Sequence, residues 1–298
     1  MSKVMLCVPN FSEGRRPEVV EAIVAAIRET ANVNVFNVES DPDHNRSVVA
    51  MLGAPEALED AMFAGIQKAS ELIDMDAHEG EHPRMGATDV VPFIPVRDVA
   101  MEDCVETARR LGKRVGETLG IPVYLYEAAA SRPERTNLAK VRKGQYEAIQ
   151  AEIGENPDRA PDFGPSVLGK AGATAIGARY HLVAFNVYLD TDDVEIAKKI
   201  AVTIRESSGG LPYVKAIGLL VGGRAQVSMN LTNVEQTPIH SVVNAIRAEA
   251  AKHGVGVSHS ELIGVAPQKA FFDAAASYLQ LDLDPNQVLE THLMGGTH

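Results

Sequence analysis

Apolar residues recur along this chain in two rhythms, and turn-forming residues mark the changes between them. Short apolar or alternating runs predict strands at 4–8, 33–38, 47–52, 90–96 and 122–126. Spacing near the helical period predicts helices at 17–30, 57–72 and 101–119. Pro17 suits the first turn of a helix, where its missing N–H costs nothing. Pro92 and Pro95 interrupt the 90–96 run, so that strand is expected to be irregular or at a sheet edge. Past residue 180 the order returns, with strands at 181–189, 214–221, 226–231 and 255–264. Helices are predicted there at 193–206, 238–253 and 270–279.

A strand–helix–strand–strand–helix–strand order therefore occurs twice, at a period of about 175 residues. Phe11 and Ile27 in the first copy are answered by Phe185 and Ile204 in the second. Such a βαββαβ unit gives an antiparallel four-stranded sheet with helices on one face. The fold class is thus α+β, two ferredoxin-like βαββαβ subdomains forming a pseudo-repeat, at 1–178 and 179–298. A doubly wound parallel sheet would need strict alternation, and the helix-free strand pairs count against it. Each sheet would leave one face to be buried against the other sheet or another subunit. Residues 128–177 combine a charged, helix-compatible stretch at 132–153 with a glycine- and proline-rich one. They fit either a linker or a loop that wraps a ligand.

Composition narrows the function. The 298 residues suit about two domains, and the hydrophobic share of 45% is that of a globular chain. Twenty-eight Lys and Arg against 40 Asp and Glu give a net charge of −12, which argues against nucleic-acid and anionic-membrane partners. Cys7 and Cys104 cannot build a disulfide framework, and the first apolar stretch is too short for a secretion signal. A reducing, cytoplasmic setting is expected. No apolar run reaches the length of a membrane span.

Three stretches carry candidate chemistry. Residues 78–82 read His-Glu-Gly-Glu-His, the zinc-protease pattern, which needs both histidines on one helix face. Gly80 inside the motif and Pro83 after it oppose a helix. His82, with Glu79, Glu81 and Arg84 around it, fits a loop general base, although a solvated loop histidine would look the same. Residues 164–171 resemble a phosphate loop, but Ala171 stands where the magnesium-binding hydroxyl belongs. Arg46 beside Asn45 fits a carboxylate clamp or a plain hairpin turn.

Longer strings carry a resemblance. CVPNFSEG (7–14), NRSVV (45–49), GEHPRMGATDVVPFIPV (80–96), APDFGPS (160–166), QVSMNL (226–231) and ELIGVAPQKAFFDAAA (261–276) resemble the formiminotransferase domain, which in animals is fused to a cyclodeaminase. The resemblance extends to about residue 282 and implies a stand-alone, homodimeric transferase with folate in a cleft between its subdomains. The implied reaction moves a formimino group from N-formimino-L-glutamate to N5 of tetrahydrofolate, with or without a polyglutamate tail, as part of histidine degradation and one-carbon metabolism. Tetrahydrofolate is then a co-substrate and no metal is implied. The family's catalytic histidine falls on His82. Its folate segment falls on Phe163, Gly164, Pro165, Ser166, Val167, Leu168, Gly169, Lys170, Ala171 and Gly172. Glu39 stands where relatives commonly carry aspartate, and it or a neighbouring carboxylate is expected to orient His82. Asn45 and Arg46 are expected near the donor, with Asn10, Ser228, Asn230 and Gln268 as further substrate contacts. Formyl transfer between 5-formyltetrahydrofolate and glutamate, or a folate-binding module without turnover, are the alternatives.

Overall fold

The computed structural model describes residues 3–80 and 82–289. It divides into two units, Met1–Arg179 and Tyr180–His298. The first unit begins with β1 (Val4–Cys7) and β2 (Asn10–Phe11), one strand line broken at Pro9. Helix α1 (Pro17–Arg28), β3 (Val33–Asp41), β4 (Arg46–Gly53), α2 (Pro55–Leu72) and β5 (Thr88–Arg97) follow. The strands pair antiparallel, with β3 on β4, β4 on β1 and β2, and these on β5. This is the βαββαβ order that the periodicity predicts.

Helix α1 forms because Val19, Val20, Ile23, Val24 and Ile27 share one stripe, and all five are buried. Helix α2 buries Leu58, Ala61, Met62, Ile66 and Ala69 in the same way. The two helices approach closely at Gly65, where an added Cβ would stand 2.9 Å from Ile27 Cγ1. Under them lie Met5, Cys7, Phe11, Val49, Met51, Val91 and Phe93. Each large side chain fully removed from water there contributes about 1.5–3 kcal/mol.

The first unit then grows. Helix α3 (Met101–Leu119) leads to β6 (Val123–Glu127), and β7 (Thr174–Ala178) inserts between β5 and β6, parallel to both. The sheet has seven strands. Strand β5 is consequently interior, not at an edge. Pro92 faces Gly177 and Pro95 faces Met5, and each proline withholds one donor while β5 still pairs with β1 and β2 on one side and with β7 on the other. Small residues in β7 have a steric cause, since a Cβ on Gly177 would lie 2.5 Å from the Tyr126 ring.

Residues 138–153 are not a linker. They form α4 (Leu138–Val141) and α5 (Gln145–Glu152), laid on the sheet face opposite α1–α3. Val141, Ile149 and Ile153 pack there with Met85, Val90, Tyr124 and Tyr126. That end of the first sheet is thus covered on both faces, where the repeat alone implies one bare face. This covering is invisible to helical periodicity because α4 and α5 are short.

The second unit contains β8 (Val183–Leu189), α6 (Val194–Ile204), β9 (Val214–Val221), β10 (Arg224–Leu231), α7 (Ile239–Lys252) and β11 (Val257–Ile263), followed by α8 (Gln268–Leu279). Its sheet order, β11-β8-β10-β9, is the order of the first unit's antiparallel core, and all pairs are antiparallel. Val183, Phe185, Val187 and Leu189 face the helices, while Ala184, Asn186 and Tyr188 alternate onto the other face. Among the described residues no helix is long and apolar enough to cross a membrane.

Ile149→Ala tests the reassigned segment. Deleting this fully buried side chain is expected to lower stability by about 2–5 kcal/mol in denaturant unfolding, whereas a linker position would give no change.

Candidate active site

The site grows from the β3–β4 turn. Asp41 Oδ1 accepts from the backbone N–H groups of Asp43 and His44, each at 2.9 Å, and Oδ2 lies 2.6 Å from His44 Nδ1. The His44 backbone N–H and imidazole hold the Asp41 carboxyl below its ordinary pKa. Asn45 ends the turn at φ 47°, a left-handed conformation that asparagine tolerates. Its side-chain oxygen accepts from Gly14 N at 3.0 Å and its Nδ2 donates to Glu79 O at 2.8 Å. One amide therefore ties the turn to two other loops. Gly14 and Gly80 allow it, since a Cβ would come within 2.3 Å of Asp41 O and 2.5 Å of His44 O respectively. In the CVPNFSEG string, Ser12 Oγ donates to Gly86 O, and Glu13 Oε1 accepts from the N–H groups of Arg15 and Arg16 at the start of α1.

With the turn fixed, Arg46 projects at the head of β4, and its Nη1 lies 2.9 Å from His82 Nε2. Arginine has no acceptor, so Nε2 must be the lone-pair nitrogen and the ring is neutral, with its proton on Nδ1. The His44 ring stands edge-on to His82, 6.3 Å between centroids. Partial burial, then the charges of Arg46, Arg142 and His44, push the His82 pKa down to about 3. Arg46 Nε is buried and has no hydrogen-bond partner among the described residues.

His78 is turned elsewhere, with Nε2 3.2 Å from Asn45 O and Nδ1 3.4 Å from Arg84 Nε. Arg84 is held by Glu147, at 2.9 and 2.7 Å. The described residues between 73 and 87 include no helix, so His78 and His82 do not share a helical face. Glu81, expected beside His82, lies outside the described residues. Among the described residues, no group of three or more His, Cys, Asp or Glu could hold a metal ion.

The segment 163–172 is anchored at both ends. Asp162 Oδ2 accepts from Leu125 N at 2.7 Å and from Arg135 Nη1 at 2.6 Å, and Ser131 Oγ donates to Oδ1. Phe163 packs on α3 at Gly116, where a Cβ would come within 2.8 Å of it. At the far end Lys170 O accepts from Met75 N and Ala171 O from Ala87 N, both at 2.8 Å. Gly172 at φ 69° faces Gly86, whose own Cβ would collide with Ala173 O at 2.0 Å. Between the anchors Gly164, Ser166, Val167, Gly169 and Lys170 are exposed, Phe163, Pro165, Leu168 and Ala171 less so, and Gly172 is buried. A strand follows Ala173 where a phosphate loop would need a helix.

The structure thus brings Asn45, Arg46 and His82 together, with the far anchor of 163–172 a few residues beyond His82. Glu39 is exposed on β3, and its Oε1 accepts from Asn37 at 2.8 Å; the contact seen at His82 Nε2 is a cation rather than this carboxylate. Asn10 Nδ2 donates to Val8 O. Ser228 and Asn230 lie on β10, opposite Asn186 and Ala184 of β8, and Gln268 is the exposed first residue of α8. Sequence reasoning missed His44, Arg142 and Asp89. Asp89 left a signal, a lone carboxylate at the start of an apolar strand.

Two family models cover the chain: the N-terminal subdomain of the formiminotransferase domain matches residues 4–179, and the formiminotransferase domain matches residues 184–292. The chain is 48% identical over 300 residues to a glutamate formimidoyltransferase of Streptococcus pyogenes serotype M1, covering 99% of this chain and 100% of that one. It is 52% identical over 289 residues to a glutamate formimidoyltransferase of Thermoplasma acidophilum, covering 95% of each. To the formimidoyltransferase-cyclodeaminase of Mus musculus it is 44% identical, over 93% of this chain and 53% of that longer protein.

The neutral ring makes a spectroscopic prediction. In NMR titration His82 is expected to stay unprotonated down through about pH 5, well below the ordinary histidine value of 6.5, and Arg46→Met to move its titration upward. Because the folded pKa is the lower one, the unfolded chain binds the extra proton. The His82 contribution should therefore weaken stability as pH falls from 6.5 toward 3.

Proposed function

The chain belongs to the formiminotransferase family, and we propose that it transfers the formimino group of N-formimino-L-glutamate to N5 of tetrahydrofolate, releasing L-glutamate. The observation that carries this reading is near-full-length identity of about half to two glutamate formimidoyltransferases. The same names favour a formimino over a formyl donor. Homodimeric assembly, a cytoplasmic setting and acceptance of polyglutamylated folate belong to the reading through the family resemblance and the composition.

The chemistry asks little of the protein. N5 is an amine and attacks the amidine carbon directly, forming a C–N bond and a tetrahedral intermediate. The N5 proton must leave, and the glutamate nitrogen must gain one as its bond to carbon breaks. In this reading His82 takes the first proton on Nε2 and returns it to the departing nitrogen, a role worth about 10²–10⁴-fold in rate. A ring that is neutral in the free protein can accept a proton once Arg46 leaves its Nε2 lone pair.

Arg46 then has two states. Without substrate its guanidinium covers the Nε2 lone pair. A donor carboxylate, paired to the guanidinium in bidentate fashion, draws it aside and frees the base. Arg46 Nε supports this, as a buried donor without an acceptor among the described residues. The exposed, glycine-containing backbone of 163–172 supports the folate role, because it allows close approach to a flat pterin. Holding donor and acceptor together supplies much of the remaining rate.

A steady-state assay with tetrahydrofolate and each donor in parallel tests the reaction, which is overturned if formiminoglutamate gives no glutamate. His82→Ala is expected to lower kcat by about 10²–10⁴-fold with the melting temperature unchanged. A folded variant that kept more than a few per cent of turnover would remove His82 from the role.

A further inference from the structure

Asp89 is a carboxylate with 1% side-chain exposure at the start of an interior strand. Both its oxygens accept: Oδ1 from Met85 N at 3.0 Å, Oδ2 from Arg142 Nη1 at 2.6 Å. Burial raises its pKa, while Arg142, the Met85 N–H and the nearby charge of Arg46 work to keep it ionised. The same Arg142 nitrogen also reaches Pro83 O at 3.3 Å, the carbonyl directly after His82. Arg142 itself caps the C-terminal end of α4, so its place is set by the packing of Val141 and Ile149 on the sheet.

We propose that Arg142 and Asp89 are positioning residues for His82. Arg142 grips Pro83, Asp89 grips Met85, and their mutual ion pair fixes the turn from which the imidazole projects toward Arg46. Neither residue contacts the reacting atoms in this account; both act through the ring. The inference rests on the reading of His82 as the group that moves the proton. It also bears on the charge of the ring, since Arg142 is one of three cationic or potentially cationic groups facing His82. The others are Arg46 of β4 and His44 of the β3–β4 turn. Burial and the charge of Arg142 oppose the charge on Arg46, while Asp89, Asp41 and Glu39 facing it favour that charge.

The test pairs Arg142→Met with Arg142→Lys. In Arg142→Met, kcat is expected to fall about tenfold to a hundredfold, with KM for tetrahydrofolate within about threefold of the parent. The acid limb of kcat/KM should move to higher pH, because one cation fewer lets the ring protonate more readily. The His82 NMR titration should move the same way, and Arg142→Lys should restore most of both effects. Parental kcat and titration in a folded Arg142→Met would overturn the proposal. Should Arg142→Met fail to fold, the lysine variant decides, because a His82 titration unlike the parent's would overturn it. Failure of the parent to release glutamate would overturn the formimino reading alone, because the NMR comparison needs no turnover.

Discussion

A guanidinium that can only donate rests on the lone pair of an imidazole, and the β3–β4 turn with the loops tied to it serves that one contact. The contact demands a neutral His82, and it demands that Arg46 leave its strand at one angle. The angle depends on the left-handed Asn45, and Asn45 depends on two glycines that let three loops close on its amide. A change in any of these would act on the base through the arginine. Burial, and then nearby positive charge, keeps the ring unprotonated, so the acidic net charge of the chain says nothing about this spot. The local setting, burial together with the charges of Arg46 and Arg142, outweighs the global balance.

The appended segment serves both stability and chemistry. Helices α4 and α5 bury Val141, Ile149 and Ile153 against the far face of the sheet. The same packing carries Arg142 to Asp89 and brings Glu147 to Arg84, which lies against His78. A buried ion pair of this kind contributes little net stability, because desolvation offsets much of the attraction. Its value lies in orientation, and the apolar contacts around it supply the energy that keeps it buried.

The repeat of strands and helices was legible because it rests on periodicity that each segment carries within itself. Residues 101–119 and 214–221 match their predicted bounds, and most other elements differ only by a few residues at their ends. What could not be read was pairing at long range. Strand β7 enters between β5 and β6 after a long excursion, so nothing local marks β5 as interior. Asp89 and Arg142 stand 53 positions apart and His82 and Arg46 36. No spacing rule links them. The His-Glu-Gly-Glu-His string shows the converse: its residues are adjacent in sequence, yet Gly80 and Pro83 send His78 and His82 to different partners.

The two copies of the βαββαβ order show why one of them carries this cluster. Each places an arginine at the head of its third strand, Arg46 on β4 and Arg224 on β10. In the second copy, Gly222 and Gly223, at φ 56° and 76°, join Val221 to Arg224 in a two-residue hairpin with no side chains to offer. Arg224 there donates to Ser258 Oγ and remains exposed. The first copy spends four residues between Asp41 and Arg46, and they include His44 and Asn45. The longer turn can anchor itself through Asp41, reach Gly14 and Glu79 through Asn45, and so fix the arginine against His82. A shared scaffold sets where the arginine starts, and the length of the turn before it decides whether that arginine meets a histidine or solvent.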